Sequence, residues 1–484
     1  MSPRSTTDRV PLWQAIDAAA ATGARARGGD WTASGVAIDS RTVEGGDLFV
    51  ALKGPNHDGH DHVQAALEAG ACAAMVDHLP RRVADDAPLL LVDDTMAALV
   101  RLGQAARTRS CGKVIAITGS VGKTGTKELT AAALAACGSV SATRGNLNNH
   151  IGVPLSLARL PQDAGFGVFE AGMNAAGEIA ALTRQIRPHV ALITTVEAVH
   201  TAFFPDIEAV ADAKGELFEG LEPGGTALVN RDNRFFFRLV GRAEEAGAAH
   251  IISFGTCPKA DLRLLDWKQD NGKTQVTARF GAIEVTYPVA LNGQHWALNS
   301  VAALGAAAAA GADLNQAAQG LATVTPMKGR GERQRVPFSS GHIEIIDESY
   351  NASPASVEAA LRTLGTTNPA ADGRRIALLG DMLELGDEAD RWHADLAPIA
   401  EDAGIDLVCT AGPLMAHLHV ALPTARRGIH AACAEKLLVA LHDVLRPGDI
   451  VLVKGSLGSR MGQIVDALAT PAGKGAGSRA ANGE

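Results

Sequence analysis

An α/β protein of three domains is predicted by two observations: apolar β-like runs alternate with helix-forming stretches along most of the chain, and 484 residues exceed what one hydrophobic core usually serves. Residues 1–92 carry short β-like runs at Leu48–Leu52, Ala73–Val76 and Leu89–Val92 around a helical stretch, Val63–Ala69, which predicts a small N-terminal α/β domain. Over 93–331 the order is Val114–Thr118, helix, Gly167–Glu170, helix Gly177–Gln185, Val190–Val196, helix Ile207–Glu219, Thr226–Asn230. That alternation predicts a mostly parallel sheet covered by helices, with ligands at the carboxyl ends of its strands. Ser253–Val289 has antiparallel character with a turn signal at Asp270-Asn271-Gly272, and an Ala-rich helix begins at His295.

A third alternation fills 332–469: strands Ile343–Asp347, Ile376–Leu379, Leu407–Cys409 and Ile450–Val453, with helices from Ser353-Pro354, over Glu388–Ala403, Ala434–Leu445 and Met461–Ala469. It predicts a C-terminal Rossmann-like α/β domain. Ser353 suits a helix cap and Pro354 the first turn, where its missing N–H costs nothing. The tail, 470–484, is rich in Gly, Ala and Ser without periodicity and predicts disorder.

The composition excludes several classes. A net charge of −9 argues against a general nucleic-acid-binding surface, which needs concentrated Lys and Arg. Six scattered cysteines with no C-x-x-C pair fit a reduced, cytoplasmic compartment and no zinc site. Asp8, Arg9, Gln14 and Asp17 interrupt any apolar N-terminal core, so no secretory signal is expected. Val301–Ala312 is too short to span a bilayer, so no membrane insertion is expected either. Aromatic residues make up only 4%, which predicts helices packed closely on small side chains.

The most informative run is Val-Ile-Ala-Ile-Thr-Gly-Ser-Val-Gly-Lys-Thr, Val114 to Thr124: an apolar strand entering a glycine-flanked turn that ends in Lys-Thr. In such a turn successive backbone N–H groups, here around Gly119, Ser120 and Gly122, point at phosphate oxygens. Lys123 would reach the outer phosphates and Thr124 a Mg²⁺ ion, and the helix that follows adds its positive end. The central domain is therefore expected to be a phosphate-loop, mononucleotide-binding unit that takes ATP with Mg²⁺. Ala116 stands where the longer phosphate-loop pattern has its first glycine, so only the short Gly-x-x-Gly-Lys-Thr form is present. Downstream, Glu170, His200, Lys214 and Asp347 follow strand ends or lie on the next helix. A strand-end acid such as Glu170 serves a hard cation or a helix start equally well. By spacing alone His200 reads as a hydrogen-bonding loop residue and Lys214 as a solvated helix lysine, so those alternatives stay open.

The motifs in order resemble the Mur ligase family, ATP-dependent amide-bond-forming enzymes of cell-wall precursor synthesis. They are Ile115 to Thr124, Gly145-Asn146-Leu147-Asn148-Asn149, Glu170-Ala171-Gly172-Met173-Asn174 and Ala213-Lys214-Gly215-Glu216. Asp39-Ser40-Arg41, Gly46 to Gly54, Asp347 to Ala352 and Leu379 to Gly386 narrow the resemblance to members that join UDP-N-acetylmuramoyl-tripeptide to D-alanyl-D-alanine. The resemblance implies that Lys123 holds the β- and γ-phosphates, that Thr124, Glu170 and His200 bind metal, and that Lys214 carries a carbamate. It also implies that the polar residues of Asn292-Gly293-Gln294-His295, with Asn299, lie near the adenine, that Arg330 and Asp347 close over the γ-phosphate and ribose, and that Ser40 and Arg41 grip the uridine nucleotide. Asn146 and Asn149 are expected in the substrate site; the contact of Lys454-Gly455-Ser456 has no assignment.

Rivals are a Mur-type ligase for another amino acid and a nucleotide-binding module without catalysis. Relatives that add a diamino acid carry Asp-Asn-Pro-Arg where this chain has Cys409-Thr410-Ala411-Gly412-Pro413, and a module would not need so many metal ligands. Three departures stand out: Gly125 where relatives usually have Thr or Ser, Val121 where they have Asn or Thr, and Ala171-Gly172-Met173 where Met-Gly-Ala is usual.

Overall fold

Strand Lys113–Thr118 shows how the central sheet is built. Val114 and Ala116 enter one core, Ile115 and Ile117 the other, and all four are fully buried. Side chains that alternate between two apolar faces are the signature of a parallel strand covered on both sides. A computed structural model describes residues 10–197, 203–270 and 273–470. It places this strand inside a nine-stranded sheet.

The spatial order runs Val140–Ala142, Phe166–Glu170, Lys113–Thr118, Val190–Ile193, Thr226–Asn230, His250–Gly255, then Leu262–Asp270, Lys273–Phe280 and Ile283–Val289. Pairing is parallel as far as Leu262–Asp270 and antiparallel through the last strands, so the antiparallel character expected from Ser253 begins only at Leu262. The predicted turn at Asn271-Gly272 lies outside the described residues, although Asp270 pairs with Lys273 across it. Helices Lys123–Ala135 and Gln294–Ala309 cover one face. The second helix buries Ala297, Ala302, Ala303, Ala306 and Ala307, the close small-residue packing expected from the composition.

On the other face the core is continuous with the N-terminal domain. There a five-stranded sheet orders Arg25–Arg27, Leu89–Leu91, Ala73–Val76, Asp47–Val50 and Gly35–Ala37. Val36, Leu48, Val50, Met75 and Leu90 join helix Thr95–Arg109 in that shared core. The third domain holds a six-stranded sheet in the order Glu332–Phe338, Gly341–Glu348, Ile450–Lys454, Arg375–Gly380, Leu407–Ala411 and Arg427–Ala431. Only its first pair is antiparallel.

Two local expectations meet different fates. Ser353 caps helix Pro354–Gly365 as expected, and a reciprocal bond from its own N–H to Ser356 Oγ at 2.8 Å completes a capping box. The single helix expected over Glu388–Ala403 is two, Ala389–Ala394 and Leu396–Asp402, because Pro398 has no N–H to return to Ala394. The 470–484 tail is described only at Thr470; its remainder lies outside the described residues, as does His200. No described helix is long and apolar enough to cross a membrane.

Candidate functional site

The phosphate turn is held open by geometry that only glycine permits at two points. Gly119 has φ +149° and Gly122 φ +86°, and a Cβ on Gly119 would fall 1.9 Å from Thr194 Oγ1. Thr194 instead donates to the Val121 carbonyl at 2.6 Å. Ser120 is tied twice to the neighbouring strand end: its N–H donates to Thr195 O at 2.8 Å, and its Oγ exchanges bonds with the Glu197 backbone. The turn is thus braced from the side, leaving its concave face open. Helix Lys123–Ala135 starts directly at the lysine.

Lys123 donates to its own turn, Nζ to Gly119 O at 2.7 Å. Burial lowers its pKa, the Glu170 carboxylate pulls it back up, and Arg330 lowers it further. Glu170 ends strand Phe166–Glu170 as expected and is 1% exposed. Its Oε1 accepts from Asn148 Nδ2 at 2.7 Å, while its buried Oε2 has no partner among the described residues. A buried carboxylate oxygen left unpaired is costly unless something cationic meets it.

Lys214 stands in the last turn of helix Ile207–Gly215 and is 2% exposed, so the solvated-lysine reading does not hold. Burial pushes its pKa well down and the ammonium of Lys123 adds to the shift, which favours a neutral amine. Glu216, two residues on, accepts from Gly177 N–H at 2.7 Å and Ala180 N–H at 3.1 Å. It anchors the start of helix Glu178–Ile186 and so fixes the Lys214 segment against the cleft wall.

At the junction with the third domain, the Gly329–Gly331 segment brings Arg330 to the cleft, its guanidinium 4.1 Å from the Tyr350 ring centroid. Asp347 does not line the cleft. Its carboxylate accepts from Gly329 N–H at 2.8 Å, Ser349 N–H at 3.0 Å and Ser349 Oγ at 2.5 Å, and it holds the arginine segment from behind. Lys454, at the end of its strand, donates to Asn351 O at 2.9 Å and lies 3.5 Å from Glu348. Burial lowers its pKa.

One cleft of about 620 Å³ lies between the phosphate turn and the third domain. It brings together Ser120, Gly122, Lys123, Thr124, Asn146, Asn149, Glu170, Lys214, Asn299 and Arg330. Asn149 Oδ1 also accepts from Ile151 and Gly152 N–H at the start of helix Gly152–Ala158. Asn292 lines an adjoining cavity of about 20 Å³ with His295 and Trp296, its buried Oδ1 unpaired among the described residues. Ser40 and Arg41 lie elsewhere, in the N-terminal domain: exposed Arg41 pairs with Asp39 at 2.6 Å and holds that carboxyl down at about 2. Sequence reasoning did not single out Trp296, Glu197, Asn230, Asp232 or Asn233, which also line the cleft. They carry no motif: strand pairing brings Glu197, Asn230, Asp232 and Asn233 together beyond neighbouring strand ends, and helix Gln294–Ala309 adds Trp296.

Among the described residues one side-chain group has metal-ligand composition, His60, Asp77 and His78 in the N-terminal domain. Both His60 ring nitrogens are engaged, Nδ1 with Asp58 at 2.6 Å and Nε2 accepting from Asp77 N–H at 3.1 Å. That histidine ties a loop to a strand.

Fold and site together define a three-domain α/β protein whose phosphate loop faces Arg330 and Lys454 across an interdomain cleft. The chain belongs to the Mur ligase family: the Mur ligase middle domain matches residues 117–307, the Mur ligase glutamate ligase domain residues 329–457, and the Mur ligase family catalytic domain residues 32–107. It is 34% identical over 435 residues to the UDP-N-acetylmuramoyl-tripeptide–D-alanyl-D-alanine ligase of Rickettsia prowazekii, covering 89% of this chain and 94% of that protein. The Escherichia coli ligase of the same name is 34% identical, with 91% and 95% covered. The crystal structure of MurF from Acinetobacter baumannii superposes with a TM-score of 0.81 at 28% identity, covering 95% of this chain and all of that one. MurF from Thermotoga maritima, solved with ADP, gives 0.72 at 25% identity, covering 90% and 97%.

Proposed function

We propose that this chain is an ATP-dependent ligase that joins the peptide carboxylate of UDP-N-acetylmuramoyl-tripeptide to the amine of D-alanyl-D-alanine, a step of peptidoglycan precursor synthesis. One observation carries the reading. Lys123, Glu170, Lys214, Arg330 and Lys454 converge on a single interdomain cleft in a chain that matches ligases of that name over 91% of its length.

In this reading the backbone N–H groups of the turn receive the ATP phosphates, and Lys123 exchanges its bond to Gly119 for the outer phosphate oxygens. The tripeptide carboxylate attacks the γ-phosphorus, giving an acyl phosphate and ADP. Arg330 and Lys454 offset the charge on the transferring group from the third-domain side. The dipeptide amine then attacks the acyl carbon, and the tetrahedral adduct expels phosphate as the nitrogen loses its proton. Closure of the third domain over the cleft keeps water from the acyl phosphate.

Thr124, Glu170 and His200 would hold Mg²⁺, and the unpaired Glu170 Oε2 suits a hard cation. When bound, Mg²⁺ supplies charge neutralisation at the β- and γ-phosphates. A neutral Lys214 amine is the form that adds CO₂ and sheds a proton, and the resulting carbamate would offer a further oxygen ligand. Ser40 and Arg41 are assigned to the uridine nucleotide, Asn146 and Asn149 to the peptide side, Asn292 and Asn299 to the nucleoside of ATP. The domains are taken as 1–92, 93–331 and 332–469, and a cytoplasmic location follows from a reaction that consumes ATP. ADP release should require both peptide substrates together; ADP release indifferent to either overturns the proposal.

A further inference from the structure

Lys127 lies one turn beyond Lys123 on helix Lys123–Ala135 and is fully buried, yet it does not line the cleft. A buried ammonium is costly unless its donors are met. Its Nζ donates to the Thr143 carbonyl at 2.7 Å and pairs with the half-buried Glu128. The charge is matched by its sequence neighbour, so what the lysine adds is position. Thr143 follows strand Val140–Ala142 and is 2% exposed. It is stitched twice to strand Phe166–Glu170: its N–H donates to Val168 O at 3.0 Å, and its Oγ1 accepts from the Glu170 N–H at 3.2 Å.

From Thr143 the chain runs through 144–148 and returns to the same carboxylate. Asn148 Nδ2 donates to Glu170 Oε1 at 2.7 Å, and Asn148 O accepts from Gly172 N–H at 2.8 Å. A Cβ on Gly172 would fall 2.9 Å from Asn148 Oδ1, so glycine there leaves room for the amide. Glu170 is held at its backbone by Thr143 and at Oε1 by Asn148, and Oε2 is the atom left for a cation. Both arms start at Thr143, and Lys127 stands behind it. We infer that Lys127 is a positioning residue of this ligase: its bond to the Thr143 carbonyl fixes the base of the 143–148 segment and so sets Glu170 Oε2 for Mg²⁺. Groups that orient a metal ligand from behind govern affinity nearly as strongly as the ligand does. The inference rests on the ligase reading and gives the second lysine of this helix a part in holding the metal, where the first holds phosphate.

Calorimetry on the full chain, with ATP titrated once in Mg²⁺ and once in a chelator, gives the gain in ATP affinity that the ion confers. Lys127→Met should cut that gain about tenfold, the scale on which such supporting groups act. Metal-free ATP should bind as before, because the phosphate turn is braced separately by Thr194 and Thr195. A purely structural role would weaken ATP with and without the ion. Thr143→Val, which removes the hydroxyl alone, should show the same split and carries the test by itself if Lys127→Met does not fold. In the double variant the two losses should not multiply, because they act along one chain of contacts. A full Mg²⁺ gain in either variant, equal weakening with and without the ion, losses that multiply, or no gain in the wild type overturns the inference and leaves the ligase reading standing. A wild-type chain that binds no ATP removes the ligase reading and this inference with it.

Discussion

Replacing Asp347 by alanine separates two roles that this carboxylate could have. The resemblance places it at the nucleotide; in the structure it is 1% exposed and turned into the Gly329–Gly331 segment. Its three bonds, at 2.8, 3.0 and 2.5 Å, each go to a charged acceptor. At about 1.5–3 kcal/mol apiece they total roughly 5–9 kcal/mol, and relief of burying a carboxylate returns several, leaving a loss of about 2–4 kcal/mol. Trp392, in helix Ala389–Ala394, reports unfolding of the third domain, so its fluorescence in urea measures the effect. Freed of this anchor, Arg330 should drift and kcat should fall about tenfold or more, with KM for the uridine nucleotide substrate unchanged. Asp347→Asn, which keeps one acceptor, should fall between. Unchanged urea stability with a raised KM for ATP would refute the positioning role and return Asp347 to the nucleotide.

Gly119→Ala should abolish ATP binding while leaving a folded chain, because the new Cβ meets Thr194 Oγ1 and costs about 1–3 kcal/mol of local strain besides; calorimetry with ATP and a thermal melt check both halves. Glu170→Gln should cut activity by about two orders of magnitude and raise the Mg²⁺ concentration needed for half-maximal rate, with no loss of thermal stability, since Oε2 has no partner among the described residues. Lys214→Ala should likewise be nearly inactive yet folded, and bicarbonate should not restore it; unchanged turnover would make the buried lysine structural. Alkylation followed by mass spectrometry at mildly alkaline pH should modify exposed Cys111 well before Cys72, whose thiol burial pushes up to about 12, and before buried Cys409.

What could be read from the chain was whatever chemistry lies on contiguous residues. The phosphate turn, the strand end at Glu170 and the Ser353-Pro354 helix start each encode local geometry in neighbouring letters, and the structure reproduces all three. The burial of Lys214 was not legible from the residues alone. A lysine on a helix looks the same whether its face meets water or a sheet, and only packing of helix Ile207–Gly215 decides. The cleft-lining role of Lys454 needed the pairing of its strand with Gly341–Glu348, which sets it level with Glu348 across 106 residues of sequence. Trp296 was invisible for a further reason: a Cβ on Gly125 would fall 2.5 Å from its indole, so its place is defined by what Gly125 lacks.

The side bracing of the phosphate turn by Thr194, Thr195 and Glu197 bears on inhibition. A triphosphate mimic would meet a ready mould and lose little of its affinity to ordering the backbone. Arg330 and Lys454, by contrast, reach the cleft from the side facing the mould, so a compound gripping only the mould should bind irrespective of them, whereas one reaching across to Arg330 would tie the two sides together.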